Sequence, residues 1–205
     1  KNIKSSYPDI PFIVLTPFSR EVSRRLANED FSGVDYVFSW LGNVDLLLAI
    51  IKLMEDKMNS DNDILEVGIQ TILLVEDSVR FYSSVLPHLY KFLLKQSLIF
   101  STEALNEHEQ MLRMRGRPKV ILARTYEEAM TLYNKYKNEI LGVITDVSFS
   151  RDGEKDKHAG IRLAKEIKEI DPYVPIIMES SETENAVYAK EMGISFLDKN
   201  SKKFP

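Results

Sequence analysis

The 205-residue chain contains no cysteine, which excludes disulfides and every cysteine–zinc site and is compatible with a cytoplasmic setting. Its three histidines, His88, His108 and His158, share no metal-ligand spacing, so no histidine-based centre is expected. No GxxxxGK[ST] or GxGxxG phosphate loop occurs, and no GxSxG nucleophile motif. No apolar run reaches the roughly 18 residues of a membrane span, and no secretory signal opens the chain. The net charge of −4 is spread along the sequence, without the basic footprint of a nucleic-acid binder. Neither membrane nor nucleic acid is therefore expected as a partner. What remains is an ordinary globular composition, 44% hydrophobic and 28% charged.

From Thr71 onward, short Val/Ile/Leu runs alternate with helical patterns: TILLV, VILA, LGVIT, VPIIME and ISFL are separated by segments such as YEEAMTLYNKY and AGIRLAKEIKEI. This alternation predicts βαβ units on a parallel sheet with right-handed crossovers. Runs such as ILLV and PIIM lack in/out alternation, as strands covered on both faces do. The fold class is α/β, a doubly wound sheet of five parallel strands over residues 70–205. Before it, residues 1–58 read as strand, helix (SREVSRRLANED), strand, helix, and the polar stretch NSDND opens a helix-poor linker over 59–69.

An internal repeat links the two parts. Ile3-Lys4, Pro8, Pro11 and the apolar run ending at Thr16 match Ile167-Lys168, Pro172, Pro175 and the run ending at Ser180, at a constant offset of 164. Residues 1–58 thus read as the back half of a second copy of the fold. Two strands and their helices bury too little to stand alone. The chain begins in a helical pattern and ends directly after a strand, as an excerpt of something longer does. We expect the apolar helix at 44–58 to cover the sheet face left open near ISFL, or that of a partner molecule. A position far from ISFL rejects this.

The strand ends carry the chemistry. Glu76-Asp77 follow TILLV, Asp146 follows LGVIT, Ser180 follows PIIME and Lys199 follows ISFLD. In an open α/β sheet the carboxyl ends of the strands converge on one crevice, where ligands bind. Three carboxylates in one crevice repel unless a cation or a proton sits among them. Glu76, Asp77 and Asp146, as oxygen-only ligands in an incomplete cage, suit Mg²⁺ or Mn²⁺. Lys199 is a compact cation for Asp146 or a phosphoryl group on it, and Ser180 offers a hydroxyl to a phosphoryl oxygen. A carboxylate nucleophile, a metal and a lysine are the parts that form an aspartyl phosphate.

On these residues, segment 70–205 resembles the receiver domains of two-component response regulators. The family has an acidic pair after strand one, a phosphoacceptor Asp after strand three, a Ser/Thr after strand four and a Lys after strand five. Glu76, Asp77, Asp146, Ser180 and Lys199 stand at those places. The resemblance implies a flavodoxin-like sheet of order 2-1-3-4-5 and a metal held by Asp77, Asp146 and the main-chain carbonyl of Ser148. It also implies a switch in which Ser180 moves inward and Phe196 follows. The implied partners are a histidine kinase or phosphotransfer protein, a downstream output domain or protein, and a second copy of the chain.

There are departures from the pattern. Asp77 and Asp146 lie 69 residues apart, and the surplus in SLIFSTEALNEHEQMLRMRGRPK predicts an extended first helix or an added one capped by Gly116. The loop from Asp146 to Gly160 is long, and Asn200 stands where the family commonly has Pro. This long-loop, SSE- and DKN-bearing variety looks like receivers attached to phosphoenolpyruvate-synthase-like proteins. In the first copy Thr16 fits the Ser/Thr place, but Ser39-Trp40 occupy the lysine's, and the copy resembles a degenerate receiver. The leading reading is a phosphoacceptor, not an enzyme in the usual sense. The alternative is a pseudo-receiver used for interaction or dimerisation without phosphorylation. An aspartate-dependent phosphohydrolase, with its DxD motif on the first strand, fits less well.

Overall fold

The computed structural model describes residues 4, 6–8, 10–17, 33–40, 42–104 and 106–201. Their elements run β1 (Ile13–Pro17), β2 (Tyr36–Trp40), α1 (Asp45–Ser60), a π-helical turn (Asp61–Glu66), β3 (Thr71–Val75), α2 (Val79–Thr102), α3 (Glu107–Arg115), β4 (Lys119–Ala123), α4 (Tyr126–Tyr136), β5 (Ile140–Asp146), β6 (Phe149–Arg151), β7 (Glu154–Asp156), α5 (Ala159–Ile170), β8 (Ile176–Ser180), α6 (Ala186–Glu191) and β9 (Ser195–Asp198). The main sheet has the order β4-β3-β5-β8-β9, all neighbours parallel. Counted from β3, this is the order 2-1-3-4-5 of the flavodoxin-like receiver fold.

Alternate residues of each strand feed two cores, because side chains on a strand point to opposite faces. Leu73, Val75, Val143, Ile176 and Met178 join Tyr133, Leu163 and Ala164 on one face. Leu74, Val120 and Leu122 join Tyr82, Leu86 and Tyr90 of α2 on the other, and here Phe38 of β2 and Leu46, Ala49 and Leu53 of α1 complete the cluster. Residues 36–54 therefore share one core with the main sheet. Tyr82 donates its hydroxyl to the Val37 carbonyl, and the Ser39 N–H donates to Ser83 Oγ at 2.9 Å. Trp40 packs against the same cluster.

The two strands of the first segment pair in the same sense as the last two of the main sheet. β1 and β2 pair in parallel with Thr16 opposite Ser39, as β8 and β9 pair with Ser180 opposite Asp198. Lys4 Nζ donates to the Ile10 carbonyl at 3.0 Å, and its counterpart Lys168 donates to the Val174 carbonyl at 2.8 Å. The helix expected over SREVSRRLANED lies outside the described residues.

Two expectations are corrected. First, α1 does not cover the sheet beside β9. It packs on α2 and on β4, the opposite edge, where its Asp56 carboxylate finds Arg117 and the Val120 N–H. Second, residues 59–66 are not helix-poor: helix runs unbroken into the π-helical turn that Gly68 ends at φ 76°. The polarity of this stretch serves ion pairs, Asp63 to Lys119 at 2.7 Å and Asp61 to Lys135 at 2.5 Å, rather than a solvated tether. The surplus after Asp77 meets its expectation: it forms both a 24-residue α2 and an added α3, and Gly116 caps α3 at φ −75°.

Candidate functional site

Two strand ends place the three acids. Glu76 and Asp77 follow β3, with the Glu76 N–H tied to the Ala123 carbonyl of β4 at 3.0 Å. Asp146 ends β5, and the next N–H, of Val147, donates to the Glu179 carbonyl of β8 at 3.1 Å. One carboxylate oxygen from each of Glu76, Asp77 and Asp146 lies within 4.8 Å of the others. The backbone behind Asp146 is held by close approach to α5. A Cβ on Gly160 would meet the Asp146 carbonyl oxygen at 1.9 Å, so only glycine fits there.

Lys199 follows β9, and its N–H donates to the Ser180 carbonyl at 2.9 Å. Its ammonium donates to Asp146 Oδ1 at 2.7 Å and to Glu76 Oε2. The Phe81 ring, on the first turn of α2, lies 4.2 Å from the same nitrogen. Burial alone would lower the Lys199 pKa, but Glu76 and Asp146 outweigh it and raise it, so the lysine is charged. The carboxyl of Glu76 is pushed up to about 7 by burial, against the pull of Lys199. Its second oxygen accepts the Ser78 N–H at 2.9 Å, which leaves Glu76 spent on protein partners.

Asp77, Asp146 and Ser148 instead line a cavity of about 260 Å³, together with Ser180 and Lys199. The Ser180 hydroxyl oxygen accepts from the Glu182 N–H at 3.0 Å and from the Asn185 amide at 2.9 Å, which leaves its own proton free to donate into the cavity. Phe196 stands opposite Met178 in the β8–β9 register and packs on the core rather than on the cavity. The structure thus brings together Glu76, Asp77, Asp146, Ser148, Ser180 and Lys199. It sets Phe196 behind them.

The donor set fits a hard divalent ion. Asp77, Asp146 and the Ser148 carbonyl supply oxygen alone, at the mouth of a cavity that leaves room for retained waters, as Mg²⁺ and Mn²⁺ require.

Four contributors escape the sequence reading. Phe81 and Asn185 are set by helix packing that no spacing announces. Glu179, buried beside Asp146 in the β5–β8 register, has its carboxyl pushed up to about 7 by burial, with Lys199 pulling it down and Asp146 up. Lys155 sits on a hairpin, β6–β7, whose turn is Asp152-Gly153 at φ 53° and 81°. Asp-Gly between two short runs is a strong hairpin signal, so this element was legible in FSRDGEKD.

No family model matches the chain, and no curated protein matches it. Solved structures do. A response regulator receiver domain protein from Clostridium thermocellum is 22% identical, covering 65% of this chain and 84% of its own at a TM-score of 0.42. The non-phosphorylated HemR receiver domain from Leptospira biflexa is 21% identical, covering 64% and 83% at 0.39. The CheX–CheY–BeF3–Mg²⁺ complex from Borrelia burgdorferi is 22% identical, covering 67% and 84% at 0.39. The fold itself rests on the strand order and register described above.

Proposed function

We propose that this protein is a phosphoacceptor receiver of a two-component or phosphorelay signalling system, with Asp146 as the acceptor. The observation that carries the reading is Lys199, buried at the crest of the sheet and bonded to both Glu76 and Asp146 beside an open cavity. A buried ammonium is costly, and here two carboxylates from two other strands compensate it. A carboxylate oxygen of Asp146 forms the O–P bond as the N–P bond of a phosphohistidine donor breaks, and the imidazole leaves with the electron pair. Lys199 then faces the phosphoryl oxygens, and the Ser180 hydroxyl turns its free proton to them. Asp77, Asp146 and the Ser148 carbonyl would hold Mg²⁺ or Mn²⁺, which when bound neutralises the developing phosphoryl charge. Phe196, opposite Met178 on the strand next to that of Ser180, is the proposed route from the acceptor to a protein-binding surface, switched in a cytoplasmic setting for an output domain or a second copy.

Incubation with a small phosphodonor and Mg²⁺ tests this by intact mass. The chain should gain one phosphoryl group, and Asp146→Asn should abolish the gain. The absence of any gain across acyl-phosphate and phosphoramidate donors removes the reading.

A second reading has one observation in its favour. Lys199 and Lys155 already pair with all three acids of the cluster. A pocket whose acids are each paired from within suits an interaction module that works without phosphorylation. Assembly unchanged by Asp146→Asn would favour it.

A further inference from the structure

The β6–β7 hairpin is fastened to the body of the fold on several sides. Phe149 is fully buried in the core. The Arg151 guanidinium lies 4.8 Å over the Tyr126 ring, and the Asp152 N–H donates to Glu127 Oε1 at 2.9 Å. In the hairpin register Lys155 stands opposite Ser150. From this fixed base its ammonium donates to Asp77 Oδ2 at 2.7 Å and to the Ser148 carbonyl at 2.7 Å. These are two of the three oxygens that would ligate the divalent ion. An ammonium and a divalent cation cannot take the same lone pairs at the same time.

We infer that Lys155 is a tethered cation that competes with the divalent ion for Asp77 and Ser148, and so sets the affinity of the pocket for that ion. The inference rests on the metal-dependent reading of the site given above. The side chain of Lys155 is 56% exposed, so it can swing into solvent without disturbing the core when the ion enters. With the ion absent it holds the Asp77 carboxylate in place and offsets the repulsion among the acids. Occupancy of the pocket then responds to the free divalent-ion concentration over a higher range than the three oxygens alone would give.

The test is direct titration with Mn²⁺, followed by loss of the free-ion electron paramagnetic resonance signal, on the whole chain and on Lys155→Ala and Lys157→Ala. Lys157 lines the same cavity, so its removal takes away equal charge without the two bonds. Lys155→Ala should bind Mn²⁺ roughly two- to five-fold more tightly, the range expected when a partly exposed ion pair no longer competes. Lys157→Ala should change affinity less than about two-fold. Equal affinity of the parent and Lys155→Ala overturns the competition while leaving the metal site intact. An equal gain in both variants reduces the effect to general charge and also overturns it. Failure of every chain to bind Mn²⁺ overturns the metal reading of the site and this inference together. Thermal melts of the three chains verify that each is folded.

Discussion

At the residue scale the site is a problem of too many carboxyl groups for its cations. Glu76 and Glu179 are both buried, and burial pushes each carboxyl up to about 7 despite Lys199. The native state therefore binds more protons than the unfolded chain between the ordinary glutamate value of 4.5 and about 7. Stability must fall as pH rises through that window. For Glu179 alone the full loss is on the order of 3 kcal/mol. Glu179→Gln keeps the shape and removes the titration, so its urea-unfolding free energy should decline less steeply than the parent's from pH 5 to pH 8. Identical slopes would place the proton elsewhere. Asp77, Asp146, Ser180 and Lys199 were legible because a residue directly after a parallel strand has nowhere to go but the crevice. Glu179 was not, since its burial depends on which strand lies alongside.

At the element scale, α1 is held to the β4 edge by one buried carboxylate. Asp56 accepts both terminal nitrogens of Arg117, at 3.0 and 2.6 Å, together with the Tyr90 hydroxyl at 2.9 Å and the Val120 N–H at 2.9 Å. The pair is almost wholly shielded, with side chains 1% and 4% exposed. Removing one partner strands the other charge away from water, which costs about 3–5 kcal/mol, whereas replacing both with apolar groups costs far less. Asp56→Ala and Arg117→Met should each lower the denaturant midpoint strongly. Combining Arg117→Met with Asp56→Leu should recover much of the loss. Additive single effects would show that the two groups are not coupled. In the sequence this network is invisible. Asp56 sits among the polar residues that end an amphipathic helix, and nothing in the spacing of Arg117 announces a buried partner 61 residues away. The same limit explains the helix-poor reading of 59–66: a polar run between two segments looks alike whether it meets solvent or lysines of a distant strand and helix.

At the scale of the whole molecule, β2 and α1 share one hydrophobic cluster with the five-stranded sheet and α2. The repeat predicts a kinship of residues 1–58 with the last two strands, and the described β1–β2 pair is parallel as the β8–β9 pair is. Kinship does not say where a segment docks, and the face by α2 was settled by shape. Phe38 meets the Tyr82 ring edge-on at 5.4 Å between centroids, and neither side chain is more than 1% exposed. The single tryptophan, Trp40, lies two residues further along the same strand, so its fluorescence reports on the half-copy while far-ultraviolet circular dichroism reports on the whole. Because both belong to the same packed cluster, the two signals should lose their native values at one temperature. Phe38→Ala leaves a large hole at the junction and should cost about 3–5 kcal/mol. It should move both transitions down together. A variant in which the tryptophan signal melts early, with the dichroism transition unmoved, would mean that the half-copy folds onto a sheet already stable without it.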